Sequence, residues 1–208
     1  VLDPTTFVLF LVAATALAFT PGPGIAYVAA RTLAGGRREG IASSLGTALG
    51  GSVHILAGAV GVSALIMASA EAFTILKFVG AIYLIFIGIK TLREAGTPEV
   101  SGLQPSGVRR AFRDGIVIEV LNPKTAAFFL AFIPQFISGD SHPVPQFLLL
   151  GLIVVALNTG VDVLVALLAA KTRSTFTARP DIIKRIRQGS GALICGLGVM
   201  LALVRRPA

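Results

Sequence analysis

Two stretches of this chain, Thr5 to Ala30 and Gly40 to Ala70, contain no Asp, Glu, Lys or Arg. Each is longer than the roughly 20 residues with which a helix crosses the hydrocarbon of a bilayer. Inside that hydrocarbon every backbone N–H and C=O needs a partner from the chain itself, so helices are the economical solution for runs of this length. Composition agrees: 54% of residues are hydrophobic and only 13% charged, about half the charge of an ordinary soluble domain. The first run lacks a basic leading region and is too long for a cleaved leader, so a retained span is expected although the chain opens on Val1. Cys195 is the only cysteine, which excludes an internal disulfide, a CxxC pair and a thiolate metal cage. No cofactor or metal is expected.

The fold class expected is an all-α polytopic membrane protein. Hydrophobic length read against charges and turn residues gives six spans, at about Thr6–Ala30, Ile41–Ser69, Phe73–Ile89, Gly115–Ile137, Pro145–Ala170 and Gly189–Val204. The net charge of +8 then marks loops rather than a nucleic-acid surface. Fourteen of the eighteen Lys and Arg fall in the loops after spans one, three and five; Lys77, Arg205 and Arg206 lie on the other side, and Lys124 lies within a span. That asymmetry puts the basic loops in the cytoplasm and both termini outside.

The segment from Ala95 to Gly107 is rich in Gly, Pro and Ser and divides the chain almost in half. Three spans on each side imply two inverted repeats, residues 1–94 and 111–208, joined by a linker over 95–110 in a single transporter domain. The later Arg179–Arg187 segment alternates basic and apolar residues, as a stretch lying along lipid headgroups does.

The halves interrupt their leading helices at comparable places. Thr20-Pro21-Gly22-Pro23-Gly24 breaks the first span and Leu121-Asn122-Pro123-Lys124 the fourth, because each proline removes a backbone donor and clashes with the turn before it. Paired interruptions point to a binding site near the midplane, since unwound backbone survives there only against protein or a wet cavity. With Thr20 or Asn122 as N-cap and Pro21 or Pro123 in the first turn, free amides and the Lys124 ammonium favour a carboxylate ligand. The alternative is that the breaks only kink helices for packing and that Lys124 reaches to an interface.

Glu119 lies one turn before Pro123, and its carbonyl is the one that Pro123 leaves without a donor. A helix end and low dielectric both disfavour its ionised form, which makes it a candidate proton carrier or else a partner of Lys124. Asn158 and Asp162 share one face of the fifth span, and Asp162 is the only formal charge between His142 and Lys171. It is expected to bind a substrate ammonium, to take up a proton, or to pair with Lys124 or a tyrosine. The second span carries Gly46 and Gly50, a close-packing strip that permits a homodimer, and His54 follows on nearly the same face as a proton relay or a structural hydrogen bond.

These residues together resemble the LysE/RhtB amino-acid exporter family. The resemblance covers almost the whole chain and rests on Thr20-Pro-Gly-Pro-Gly24, Arg37-Arg-Glu-Gly40, Gly46 and Gly50 with His54, Gly80-Ala-Ile-Tyr-Leu-Ile-Phe-Ile-Gly88, and Leu121-Asn-Pro-Lys-Thr-Ala-Ala-Phe-Phe-Leu-Ala-Phe-Ile-Pro-Gln-Phe136. It implies a bacterial inner-membrane exporter of amino acids or close derivatives, driven by the proton gradient. By motif position it carries over to Pro21, Pro23, Asn122, Pro123, Lys124 and Asp162. A tyrosine that some members place shortly after the position of Asp162 is absent here, where the chain has only apolar residues. Rival readings are a metal-ion exporter, poorly served by two histidines and one cysteine; a membrane enzyme, for which no nucleophile and base are in evidence; and a scaffold, which leaves the buried charges unexplained. The partners expected are the lipid bilayer, the amino-acid substrate and protons.

Overall fold

The computed structural model describes residues 3–67, 70–93, 95, 104–137, 143–171 and 180–203, and every regular element among them is helical. Helix α1 spans Pro4–Phe19, α2 Pro23–Met67, α3 Ala70–Arg93, α4 Val108–Val120, α5 Pro123–Ala127, α6 Pro143–Lys171 and α7 Pro180–Leu203. By length and composition, Pro23–Gly61 and Pro143–Lys171 are apolar enough to cross a membrane, as is the pair Val108–Val120 and Pro123–Phe136, bent by 42°. Pro4–Phe19 and Ile194–Leu203 are shorter apolar helices.

Local chemistry accounts for the boundaries. Asp3 caps α1 by accepting from Thr6 N at 3.1 Å, with Pro4 in the first helical position, where a missing N–H costs nothing. After α5 the chain widens to a π-turn over Phe128–Phe132 and tightens to a 3-10 turn over Ile133–Phe136. Pro134 supplies the reason, since it cannot donate to the carbonyl one turn back. This turn is the centre of the core: Phe128 stacks on Phe132 at 4.6 Å, Phe136 meets Phe10 edge-on at 5.4 Å, and Phe129 and Phe147 are fully buried. Leu56, Val60, Ile82 and Leu152 face outward, an apolar exterior suited to lipid.

Helix α2 packs along both α4 and α6, whereas α3 packs chiefly on α7. Gly46 and Gly50 make the first contact possible. A Cβ at Gly46 would collide with the Phe112 carbonyl of α4, and one at Gly50 would lie 2.7 Å from Ile116 O. The strip is therefore used within one chain.

The loop expected around Arg31, Arg37 and Arg38 is not a loop. Two helical segments meet there at a single residue: Arg31 lies before and Arg37 and Arg38 after Gly36, whose φ of 79° and ψ of −174° are not helical. That region of backbone space is open essentially only to glycine. Nothing lies within 4 Å of a Cβ built at Gly36, so Gly36→Ala isolates the backbone term. It should cost about 1–3 kcal/mol of stability, seen as a lower denaturation midpoint in detergent, whereas Gly160→Ala, in open space at an ordinary helical position, should not lower it.

Of the expected linker, residues 96–103 lie outside the described residues, 104–107 lead into α4 with Gly107 at φ 85°, and 108–110 already belong to that helix. Arg179, Arg205 and Arg206 are likewise outside, and from Pro180 onward the alternating segment forms the start of α7.

Candidate functional site

The two helix breaks lie against each other. Lys124, 4% exposed, donates from Nζ to Thr20 O at 2.9 Å and to Leu17 O at 3.3 Å at the end of α1, where Leu17 O also accepts from Thr20 N at 3.1 Å. Gly22 allows this approach, because a Cβ there would press on the Lys124 stem at 3.2 Å. At the second break Asn122 is the expected N-cap, with Oδ1 accepting from Lys124 N at 3.1 Å. The first break differs from expectation. Thr20 ends α1 instead of starting the next segment, with Oγ1 donating to Ala16 O at 2.7 Å, and α2 begins at Pro23 rather than Pro21. A residue preceding proline is pushed out of the helical region, so Gly22 cannot be helical and the start is delayed to Pro23.

Glu119 sits just behind Lys124. Its carboxylate accepts from Asn122 Nδ2 at 2.9 Å and from Thr125 Oγ1 at 2.7 Å, not from the Lys124 ammonium. Gly24 faces it so closely that a Cβ would lie 2.7 Å from Oε2. The carbonyl of Glu119, which Pro123 cannot reach, accepts from Asn122 N at 3.0 Å and from His54 Nε2 at 2.9 Å. A carbonyl only accepts, so His54 carries its proton on Nε2 and repairs the helix at the break. Asp162, 4% exposed, accepts from Thr47 Oγ1 at 2.7 Å. The partner expected from sequence was Lys124 or a tyrosine; Thr47 was missed, though it lies within the Gly46 to Gly50 strip.

Sequence reasoning puts all of these residues around one cavity, and the structure divides them. A cavity of about 340 Å³ has Pro21, Gly22, Pro23, Pro123 and Lys124 on one wall. Its other wall comes from α3 and α7, with Tyr83, Phe86, Ile87, Lys90, Thr91 and Ile194. Gly24, Glu119, Asn122, Asn158 and Asp162 line instead a small space of about 10 Å³, the size of a single water, and Lys124 borders both. A second space of the same size brings Thr47 and Asn158 to Glu119.

A further polar cluster escaped the sequence reading. Glu39 accepts from Gly107 N at 2.8 Å and Ser106 N at 3.0 Å, capping α4, and pairs with buried Arg31 at 3.6 Å. Arg31 lies 6.0 Å from the Tyr27 ring, and Tyr27 Oη donates to Ala111 O at 3.1 Å. The signal was present: Glu39 is the only carboxylate between Asp3 and Glu71.

With this geometry in view, comparison with known proteins is specific. The LysE type translocator family model matches residues 15–205. A homoserine/homoserine lactone efflux protein of Salmonella typhimurium is 32% identical, over 94% of this chain and 95% of its own length. An uncharacterized membrane protein of Vibrio cholerae is 29% identical over 98% of this chain and all of its own. A leucine efflux protein of Salmonella choleraesuis is 28% identical over 62% of this chain and 61% of its own. No solved structure matches.

Proposed function

Because this chain belongs to the LysE type translocator family, a family of multi-pass membrane transporters, we propose that it exports amino acids or close derivatives by proton antiport. The observation that carries the reading is the placement of Lys124, a buried ammonium at the inner end of a ligand-sized cavity, with two buried carboxylates directly behind it. A substrate carboxylate binds Lys124 from the cavity. Asp162, in the water-sized space behind, takes and gives up the proton.

Alternating access then moves the two broken helices relative to α3 and α7. In this reading the chain forms six spans in two inverted repeats, 1–94 and 111–208, in a bacterial inner membrane with the basic segments cytoplasmic. Lys90 and Thr91, near the basic end of α3, line the large cavity, which in this orientation would load substrate from the cytoplasm.

Asp162→Asn tests the assignment, because the amide is isosteric and still accepts from Thr47. In proteoliposomes holding a panel of amino acids, the variant should lose the acceleration by an imposed pH gradient while keeping exchange of substrate against substrate. Gradient-driven export equal to that of the unaltered protein would overturn Asp162 as the proton site.

A further inference from the structure

We infer that the large cavity recognises a carboxylate and an apolar tail but not an ammonium, so that its substrates include carboxylates without a free amino group. The inference rests on the transporter reading above and narrows its substrate class.

Binding an ammonium at membrane depth takes a carboxylate or a cluster of open carbonyls. Among the described residues, no Asp or Glu lines the cavity. Glu119 and Asp162 lie behind Lys124, lining the water-sized space instead; both Glu119 oxygens accept, from Asn122 and Thr125, and Asp162 Oδ2 accepts from Thr47. The carbonyls that end α1 at the break are the natural alternative, because helix C-terminal ends attract cations. Lys124 has taken them: Leu17 O and Thr20 O both accept from its Nζ. An intrinsic ammonium thus sits where a substrate ammonium would otherwise go.

What remains for a ligand is the Lys124 ammonium, the Tyr83 side chain with its single hydroxyl, and apolar wall. Lys124 has three N–H groups and spends two on these carbonyls, leaving one for an anion. Thr91 Oγ1 is engaged with Ile87 O at 2.9 Å. Phe86, Ile87 and Ile194 supply apolar wall, and a cationic tail would share the cavity with the Lys124 ammonium. Neutral aliphatic or aromatic tails suit this space, and lysine-like tails do not.

The test uses the full chain in proteoliposomes and needs no variant. Export is first measured for leucine, phenylalanine, threonine, lysine and N-acetyl-leucine. Competitors are then added against the best of these: N-acetyl-leucine and 4-methyl-2-oxopentanoate, which keep carboxylate and tail but lack an ammonium, and leucinamide and homoserine lactone, which keep the amine but lack a carboxylate. Leucine or phenylalanine should lead. The first two competitors should match leucine within about threefold and the latter two should be at least about tenfold weaker, as expected for loss of one charged hydrogen bond. Effective competition by leucinamide with none by N-acetyl-leucine would overturn the inference while leaving an amino-acid exporter, as would lysine as the best substrate. Export of N-acetyl-leucine with no amino acid moved would keep the inference and sink the amino-acid reading. No movement of any compound would sink both.

Discussion

Lys124→Met should abolish export. The substitution keeps the length of the side chain and its packing beside Gly22 but removes the ammonium from the cavity wall. Losing one charged hydrogen bond to a substrate carboxylate costs about 3 kcal/mol, roughly a hundredfold in affinity or rate. Thr20 O would also lose its donor and Leu17 O would keep only Thr20 N, which loosens the contact between the two breaks. Transport and folding are separable. Binding of leucine should fall roughly a hundredfold in isothermal titration of protein that still elutes as a single species, whereas a variant recovered in lower yield whose folded fraction binds leucine with unchanged affinity would assign Lys124 to structure alone.

Glu39→Ala should have the largest effect on stability. It strands Arg31, 5% exposed as a residue, without its counter-charge and leaves Ser106 N and Gly107 N without their acceptor at the start of α4. Breaking a buried ion pair from one side costs about 3–5 kcal/mol. Removing both charges is milder, because no lone charge is left in the interior. Arg31→Met combined with Glu39→Met should therefore survive heating in detergent better than Glu39→Ala alone, as read by the fraction recovered on size-exclusion chromatography. Equal loss in the two proteins would mean that capping of α4, not the ion pair, dominates.

The two breaks were legible in the sequence because proline and glycine act on their own backbone, through a missing donor and a fixed φ, whatever the surroundings. Long apolar segments were legible for the same reason: burial in hydrocarbon needs only length and composition. Partners were not. Glu119 was read against Lys124, its neighbour in sequence, yet Thr125 and Asn122 satisfy it and Lys124 turns away to α1. Arg31 counted as one loop cation among several, although it is buried against a carboxylate eight residues on. Distances across the fold are invisible to a reading along the chain, and so was the wall that separates Asp162 from the cavity. His54 shows the limit from the other side. The orphaned carbonyl of Glu119 could be deduced from Pro123, but not which side chain would come to it.

One feature of the packing bears on how such a molecule can move. Helices α3 and α7 meet along glycines, where a Cβ at Gly88 would approach Gly191 O at 2.8 Å and one at Gly198 would approach Ala81 O at 2.9 Å. Together they touch the rest of the molecule chiefly at α1, at α5 and at the aromatic turn Phe128–Phe132. The cavity is the gap along that seam. A movement of α3 and α7 against the two helix breaks would change the volume of that gap first, so whatever fills it becomes the washer that sets their spacing.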